Sequence, residues 1–175
     1  ATAAVRLGGT PIAVDALRFG PTMTAFESLD DTLRVLSGMV DIIVMRTPNR
    51  LDHERVRAAA ACPIINGGDG LGDHPVQSLI DLFAITRHAI PIESLNIGIC
   101  GDLRTRSSRS LLRLLRRFRP QKLRLIAPPG REIHGLDLEF LTPRVEVTHD
   151  MDLSELDVLY MVGLPAGTAD EYLDA

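Results

Sequence analysis

Asn66-Gly-Gly-Asp-Gly-Leu-Gly-Asp-His-Pro-Val-Gln77, running into Ser78-Leu-Ile-Asp-Leu-Phe83, is the stretch from which the rest of the chain is best read. Its glycines let the backbone turn tightly and present N–H groups. A helix then starts, with Asp73 or His74 as the N-cap and Pro75 in the first turn, where a proline is tolerated. Such a helix start gathers free donors and partial positive charge, which suits a small anionic or carbonyl ligand. His74 and Gln77 stand three positions apart, on one face of that turn. One is placed to meet a carbonyl oxygen and the other an amide of the same small ligand.

Upstream lies Val40-Asp-Ile-Ile-Val-Met-Arg46-Thr-Pro48. An apolar run closed by an arginine and a proline predicts a buried parallel strand over 40–45 that delivers Arg46 at its C-terminal end. In open α/β sheets that edge is where ligands bind, and a guanidinium matches phosphate or carboxylate. Arg46, His74 and Gln77 are therefore expected to converge on one site.

The remaining pattern alternates. Ile12–Val14 reads as a short strand and 19–24 as a loop. Leu29, Leu33 and Leu36 recur at helical spacing behind Ser28 or Asp30 as a cap. A short helix is expected over 52–61, a strand over 63–65, and a helix over 75–89 that buries Leu79, Leu82 and Phe83 along with Ile80 and Ile85. After Pro91 the cadence restarts with strand 95–100, helix 107–118, strand 122–127, a helix around 132–141, strand 145–148, helix 152–156 and strand 157–162. Strand–helix alternation of this kind means parallel sheets with right-handed crossovers. The expected fold class is α/β, with two Rossmann-like parallel-sheet domains meeting near residue 90, 1–90 and 91–175.

A second constellation is Gly101-Asp-Leu-Arg-Thr-Arg106-Ser-Ser-Arg109-Ser110, where a strand ends, polar residues turn and a helix begins. The Gly-x-Gly-x-x-Gly spacing of a dinucleotide site is missing. The helix that follows carries Leu111, Leu114, Leu115 and Phe118 on one side, and Arg109, Arg113, Arg116 and Arg117 on the other. That face suits nucleic acid or an anionic membrane, but it also describes an ordinary amphipathic helix.

Composition narrows the function. A hydrophobic content of 45% supports a globular core, and 4% aromatics means it is built from aliphatic side chains. A formal charge of −4 argues against a general nucleic-acid binder. No apolar run reaches membrane-spanning length. Cys62 and Cys100 show no metal spacing and read as reduced thiols of a cytoplasmic protein. The five histidines, among them His53, His88, His134 and His149, form no ligand set with cysteines or acids. Neither a metal nor a cofactor is expected.

At Met45-Arg-Thr-Pro48, at the glycine loop with His74-Pro-Val-Gln77, at Gly98-Ile-Cys-Gly-Asp-Leu103 and at Asp157-Val-Leu-Tyr-Met161, the chain resembles the aspartate/ornithine carbamoyltransferase family, and its aspartate branch most. The motifs fall in the family's order across nearly the whole chain. The resemblance implies that helix 75–89 ties two domains together and that the protein forms a homotrimer with sites at subunit interfaces. It implies that Arg46 and His74 polarise the carbonyl of carbamoyl phosphate while Gln77 holds the carbamoyl amide. It also implies that Arg106, with Arg104 in reserve, grips the acceptor's α-carboxylate.

The chain departs from the family at the acceptor side. Gly163 and Pro165 stand where the aspartate branch has an arginine and a glutamine for the side-chain carboxylate, and 19–26 contains no lysine. The expected activity is thus carbamoyl transfer to an amine other than plain aspartate. The alternatives are a dehydrating amide cyclisation without carbamoyl phosphate and a non-catalytic paralogue. The family's phosphate-gripping Ser-Thr-Arg-Thr segment and its later His-Pro loop are not in this sequence, which reads first as a fragment of a longer chain and otherwise as a protein that has shed those parts.

Overall fold

A computed structural model describes residues 1–14, 28–70, 72–87, 91–135, 142 and 144–163. The chain divides into two compact units, Ala1–Ile42 with His53–Pro63, and Ile43–Asp52 with Ile64–Ala175.

The first unit is helical: α1 is Thr2–Arg6, α2 is Leu29–Ser37 and α3 is His53–Ala59. Ser28 caps α2, its hydroxyl accepting the Asp31 N–H at 3.2 Å, and Asp30 and Asp31 place negative charge on the first turn. Leu33 of α2 is buried, as are Val56 and Ala59 of α3. Arg55 forks onto Asp30 at 2.9 and 3.0 Å, and Ser37 Oγ accepts the N–H of Ala61 at 2.8 Å. The strand expected at Ile12–Val14 is absent; those residues are exposed and pair with no strand among the described residues. Without a ladder partner an extended segment cannot satisfy its backbone as a strand. The loop at 19–24 lies outside the described residues.

The second unit holds β1 (Ile43–Thr47), β2 (Ile64–Asp69), α4 (Pro75–Arg87), β3 (Asn96–Cys100), α5 (Arg106–Leu115), β4 (Lys122–Ile126), β5 (Val145–Thr148) and β6 (Val158–Met161). Strands β1 and β2 form a parallel pair, and the other four form a parallel sheet in the order β5-β4-β3-β6. Ile97, Ile99, Leu123 and Leu125 from the sheet and Leu111, Leu112 and Leu115 from α5 are fully buried together. Aliphatic burial of this kind contributes about 1.5–3 kcal/mol per side chain. The expected α/β class with parallel sheets is what the chain adopts.

Strand β1 begins later than expected and takes in Arg46 itself. On α4 only Ser78 and Leu82 are buried, with Ile85 partly so. Leu79, Ile80 and Phe83, expected in the core, are 56%, 56% and 62% exposed. The inward stripe runs along positions 78, 82 and 85 because that side faces α5 and β2, and the other apolar residues point away from it. The helix expected at 152–156 is a turn. Ser154 donates its N–H to Asp152 Oδ1, Glu155 has φ +62°, and the carbonyls of Asp152 and Ser154 accept from the buried Arg124. Carbonyls held this way cannot serve a helical ladder. Residues 132–135 take no helix either, and 136–141 lie outside the described residues.

Candidate functional site

The site lies wholly in the second unit, where the C-terminal ends of β1 and β2 meet the first turns of α4 and α5. In the β1–β2 register Met45 faces Asn66 but Thr47 faces Asp69, so the ladder is irregular at Arg46 opposite Gly67-Gly68. A bulge of this kind re-aims a side chain at a strand end. Glycine is required there: Gly68 has φ +118°, and a Cβ on Gly67 would come within 3.2 Å of the Met45 carbonyl.

The loop after β2 is organised by its own carboxylate. Asp69, fully buried, accepts from the N–H of Leu51 at 3.1 Å, the Asn66 side-chain amide at 3.1 Å and the N–H of Asp73 at 2.6 Å. Gly68 N–H donates to Asn66 Oδ1, Gly70 N–H to the Thr47 carbonyl, and Gly72 N–H to the Asp69 carbonyl. The loop therefore does not present these N–H groups to a ligand, as its glycines suggest, because an internal anion and nearby carbonyls have already taken them. Side chains supply donors beside this loop.

His74 supplies one of them. Its Nδ1 accepts the N–H of Gln77 at 3.2 Å, and its carbonyl accepts from Gln77 and Ser78. His74 is thus the N-cap of α4, while the alternative, Asp73, pairs with Arg113 of α5. With Nδ1 used as an acceptor, the ring proton sits on Nε2. That nitrogen looks onto Gly68, where an added Cβ would lie 3.5 Å from His74 Nε2 and 3.6 Å from Arg106 Nη1. Burial, then the charges of Arg106 and Arg46, hold the His74 pKa below its ordinary value. The ring is a neutral donor at neutral pH.

Arg106 opens α5 and donates to the Gly70 carbonyl. With Arg46, Thr47, Pro48, Gly70 and Thr105 it lines a cavity of about 670 Å³. Two guanidinium groups on one cavity beside a neutral imidazole N–H are a donor set whose chemistry complements an anion that also carries a carbonyl. Arg104 lies elsewhere: it forks onto the buried Asp102 at 3.0 Å through two nitrogens, and Arg131 reaches the same carboxylate at 3.2 Å. The hydrogen bond from Arg104 holds the Asp102 pKa below the usual carboxylate range.

Gln77 stands at the third position of α4, its Nε2 donating to Asp81 at 2.8 Å. Gly163 follows the end of β6, exposed, and a Cβ there would meet nothing within 4 Å among the described residues. Pro165 and the 19–26 loop lie outside the described residues. The arginine face of α5 is partly docked, since Arg109 reaches the Gly72 carbonyl at 3.3 Å and Arg113 reaches Asp73. Sequence reasoning passed over Asp69, Ser110, Asp81 and Tyr160. Asp81 carries a local signal, its i+4 spacing from Gln77, while Asp69, Ser110 and Tyr160 stand inside the quoted motifs with no role given to them. Among the described residues no cluster of histidine, cysteine or acid is fit to hold a metal, and no helix is long and apolar enough to cross a membrane.

Comparison with known proteins gives this arrangement its setting. Residues 1–87 match the family described as "Aspartate/ornithine carbamoyltransferase, carbamoyl-P binding domain". The chain is 38% identical over 166 residues to the aspartate carbamoyltransferase catalytic subunit of Methanoculleus marisnigri, covering 92% of this chain and 55% of the relative. It is 40% identical over 168 residues to that of Methanocorpusculum labreanum, covering 93% and 55%. The chain spans about half the length of the curated relatives it matches. Among solved structures, the catalytic subunit of M. jannaschii aspartate transcarbamoylase superposes with a TM-score of 0.85 at 32% identity, covering 99% of this chain and 59% of that one. The Trypanosoma cruzi aspartate transcarbamoylase in complex with carbamoyl phosphate and aspartate gives 0.80 at 30% identity, covering 93% and 57%. Sequence match, superposition and the motifs that frame the cavity agree: the chain belongs to the aspartate/ornithine carbamoyltransferase family.

Proposed function

We propose that this chain carries the site of a carbamoyltransferase that moves a carbamoyl group from carbamoyl phosphate to an amine other than plain aspartate. The observation that carries the reading is the placing of Arg46 and Arg106 on one cavity, with the N–H of a neutral His74 beside Arg106. Residues up to 90 hold carbamoyl phosphate in this reading, and residues from 91 onward hold the acceptor.

The chemistry needs no covalent enzyme intermediate. The amine lone pair attacks the carbamoyl carbon and a C–N bond forms. The carbonyl oxygen becomes an oxyanion facing Arg46 and His74 Nε2–H, donors already in place before charge develops. The C–O bond to phosphorus then breaks, phosphate departs with the electron pair, and the amine proton goes to the departing phosphate. Gln77 holds the carbamoyl amide and Arg106 takes the acceptor's carboxylate.

The acceptor assignment rests on Gly163. It has no side chain to bind a carboxylate, and among the described residues nothing lies within 4 Å of the position of its missing Cβ. Pro165, two residues further on, has no donor either. The same reading has the protein act as a homotrimer with sites at subunit interfaces.

The test is calorimetric titration of the full-length protein with carbamoyl phosphate, followed by phosphate release across a panel of amines. Saturable binding with release that depends on an amine other than aspartate is the expected result. Absence of binding by a folded protein overturns the reading and leaves amide cyclisation or a non-catalytic role.

A further inference from the structure

We propose that Asp81 and Tyr160 are positioning residues that fix which end of the Gln77 carboxamide faces the ligand, and so make the site select a primary amide. The inference rests on the reading above, in which Gln77 meets the carbamoyl group.

The two ends of a carboxamide differ only in what they can do: one oxygen accepts and one nitrogen donates. Left alone, Gln77 would present either end. Asp81 lies one helical turn further along α4, and an ionised carboxylate only accepts. The Gln77 atom 2.8 Å from Asp81 Oδ1 is therefore Nε2. The other oxygen, Asp81 Oδ2, accepts the phenolic O–H of Tyr160 at 3.0 Å, from β6 and seventy-nine positions away. Both carboxylate oxygens are engaged, so Asp81 cannot turn to release Gln77.

Tyr160 keeps its proton for this task. Burial first, and then the hydrogen bond to and charge of Asp81, push its pKa up to about 12, while a hydrogen bond from Ser107 works in the opposite direction. Ser107 directly follows Arg106. The line Tyr160–Asp81–Gln77 thus joins β6 to the first turn of α4.

With one Nε2–H held by Asp81, the acceptor that Gln77 offers a ligand is Oε1, which takes no hydrogen bond from the described residues. The site then offers donors at Arg46, Arg106 and His74 Nε2 and one acceptor at Gln77. A carbonyl flanked by NH₂ complements that set. A carbonyl flanked by methyl leaves Oε1 without a partner, and a carboxylate sets an oxygen against an oxygen. Asp81 and Tyr160 do not touch the ligand; they decide what Gln77 can accept.

Two phosphonates that differ only in NH₂ against CH₃, phosphonoacetamide and acetonylphosphonate, read this directly by calorimetry. The unmodified protein is expected to favour the amide roughly threefold to tenfold, the worth of one neutral hydrogen bond. Asp81→Ala brings the ratio close to one. Asp81→Asn restores it, because Asn Oδ1 can still accept from Gln77 while its amide donates to the Tyr160 oxygen. Tyr160→Phe lowers the ratio part of the way and serves if the alanine variant does not fold. In parallel, the side-chain amide resonances of Gln77 are followed by NMR in the ligand-free protein, and they are expected to move in Asp81→Ala. An unchanged ratio together with unmoved resonances overturns the proposal. If neither phosphonate binds the unmodified protein but the resonances move, the carbamoyl phosphate reading falls and the positioning of Gln77 stands.

Discussion

The backbone N–H of His74 donates to Ser110 Oγ at 2.9 Å, so a side chain of α5 holds the cap of α4 from thirty-six positions away. Ser110 is only 6% exposed, and removing its hydroxyl leaves that N–H without its partner. Ser110→Ala is expected to lower stability by about 1–2 kcal/mol, measured by urea unfolding. It is also expected to weaken phosphonoacetamide binding, because the His74 ring moves with its backbone.

The depressed pKa of His74 sets an acid limit. In the unfolded chain the ring titrates near its ordinary value of 6.5, and in the fold it titrates lower. Above 6.5 both states are neutral and the group contributes nothing to pH dependence. As pH falls below 6.5 the unfolded chain takes up the proton first, so stability declines until the folded ring is protonated too. Ligand affinity is expected to hold down through 6.5 and to fall only below it. His74→Ala removes this limb. A limb centred at or above 6.5 in the unmodified protein contradicts the assignment.

Arg46 and Arg106 line the cavity, whereas Arg104 is held by Asp102. Arg46→Gln is expected to weaken binding of a phosphonate by roughly tenfold to a hundredfold, the loss of one charge-assisted hydrogen bond. Arg106→Gln is expected to weaken binding of the acceptor's carboxylate by a similar factor, read as a raised KM for the amine. Arg104→Gln is expected to leave both within about twofold, since Arg104 is not among the residues lining the cavity. Calorimetry and amine-dependent phosphate release on the three variants separate them.

Gly72 leaves no room for a side chain. An added Cβ would lie 2.5 Å from one Asp69 oxygen and 2.7 Å from the other. Gly72→Ala is expected to cost about 2 kcal/mol or more by displacing a buried, hydrogen-bonded carboxylate. Gly130→Ala is the control, with φ +74° but nothing within 4 Å, and should cost only about 1 kcal/mol. Thermal unfolding gives the comparison.

At Gly163 no described residue stands within 4 Å of an added Cβ. Gly163→Arg is expected to fold normally and to increase aspartate-dependent phosphate release, on the order of tenfold at low aspartate, by supplying a fork for a carboxylate. If aspartate already drives release in the unmodified protein as well as any other amine does, the acceptor reading is wrong.

Much of this was open to reading along the chain. The alternation of apolar runs and helical spacing gave parallel α/β architecture, and Arg46 at a strand end beside a glycine loop pointed to the sheet edge that the cavity occupies. What escaped depended on contacts between distant segments. Leu79, Ile80 and Phe83 looked like core because hydrophobicity alone does not say which stripe of α4 meets α5. The turn at 152–156 is set by Arg124, whose burial in β4 no local pattern announces. Arg104 and Arg106 were indistinguishable by type, and the partner of Arg104 is Asp102, two positions before it. Tyr160 could not be found without the sheet that brings β6 to α4.

Asp69 gives the glycine loop a quality beyond its shape. A loop wrapped on its own counter-charge is finished before any ligand arrives. Its ordering entropy is met when the chain folds, not when substrate docks, so little affinity is diverted to closing it. Because its backbone is indifferent to what enters, a change of acceptor can be made through side chains alone, and the loop can outlast several substrates in the history of one fold.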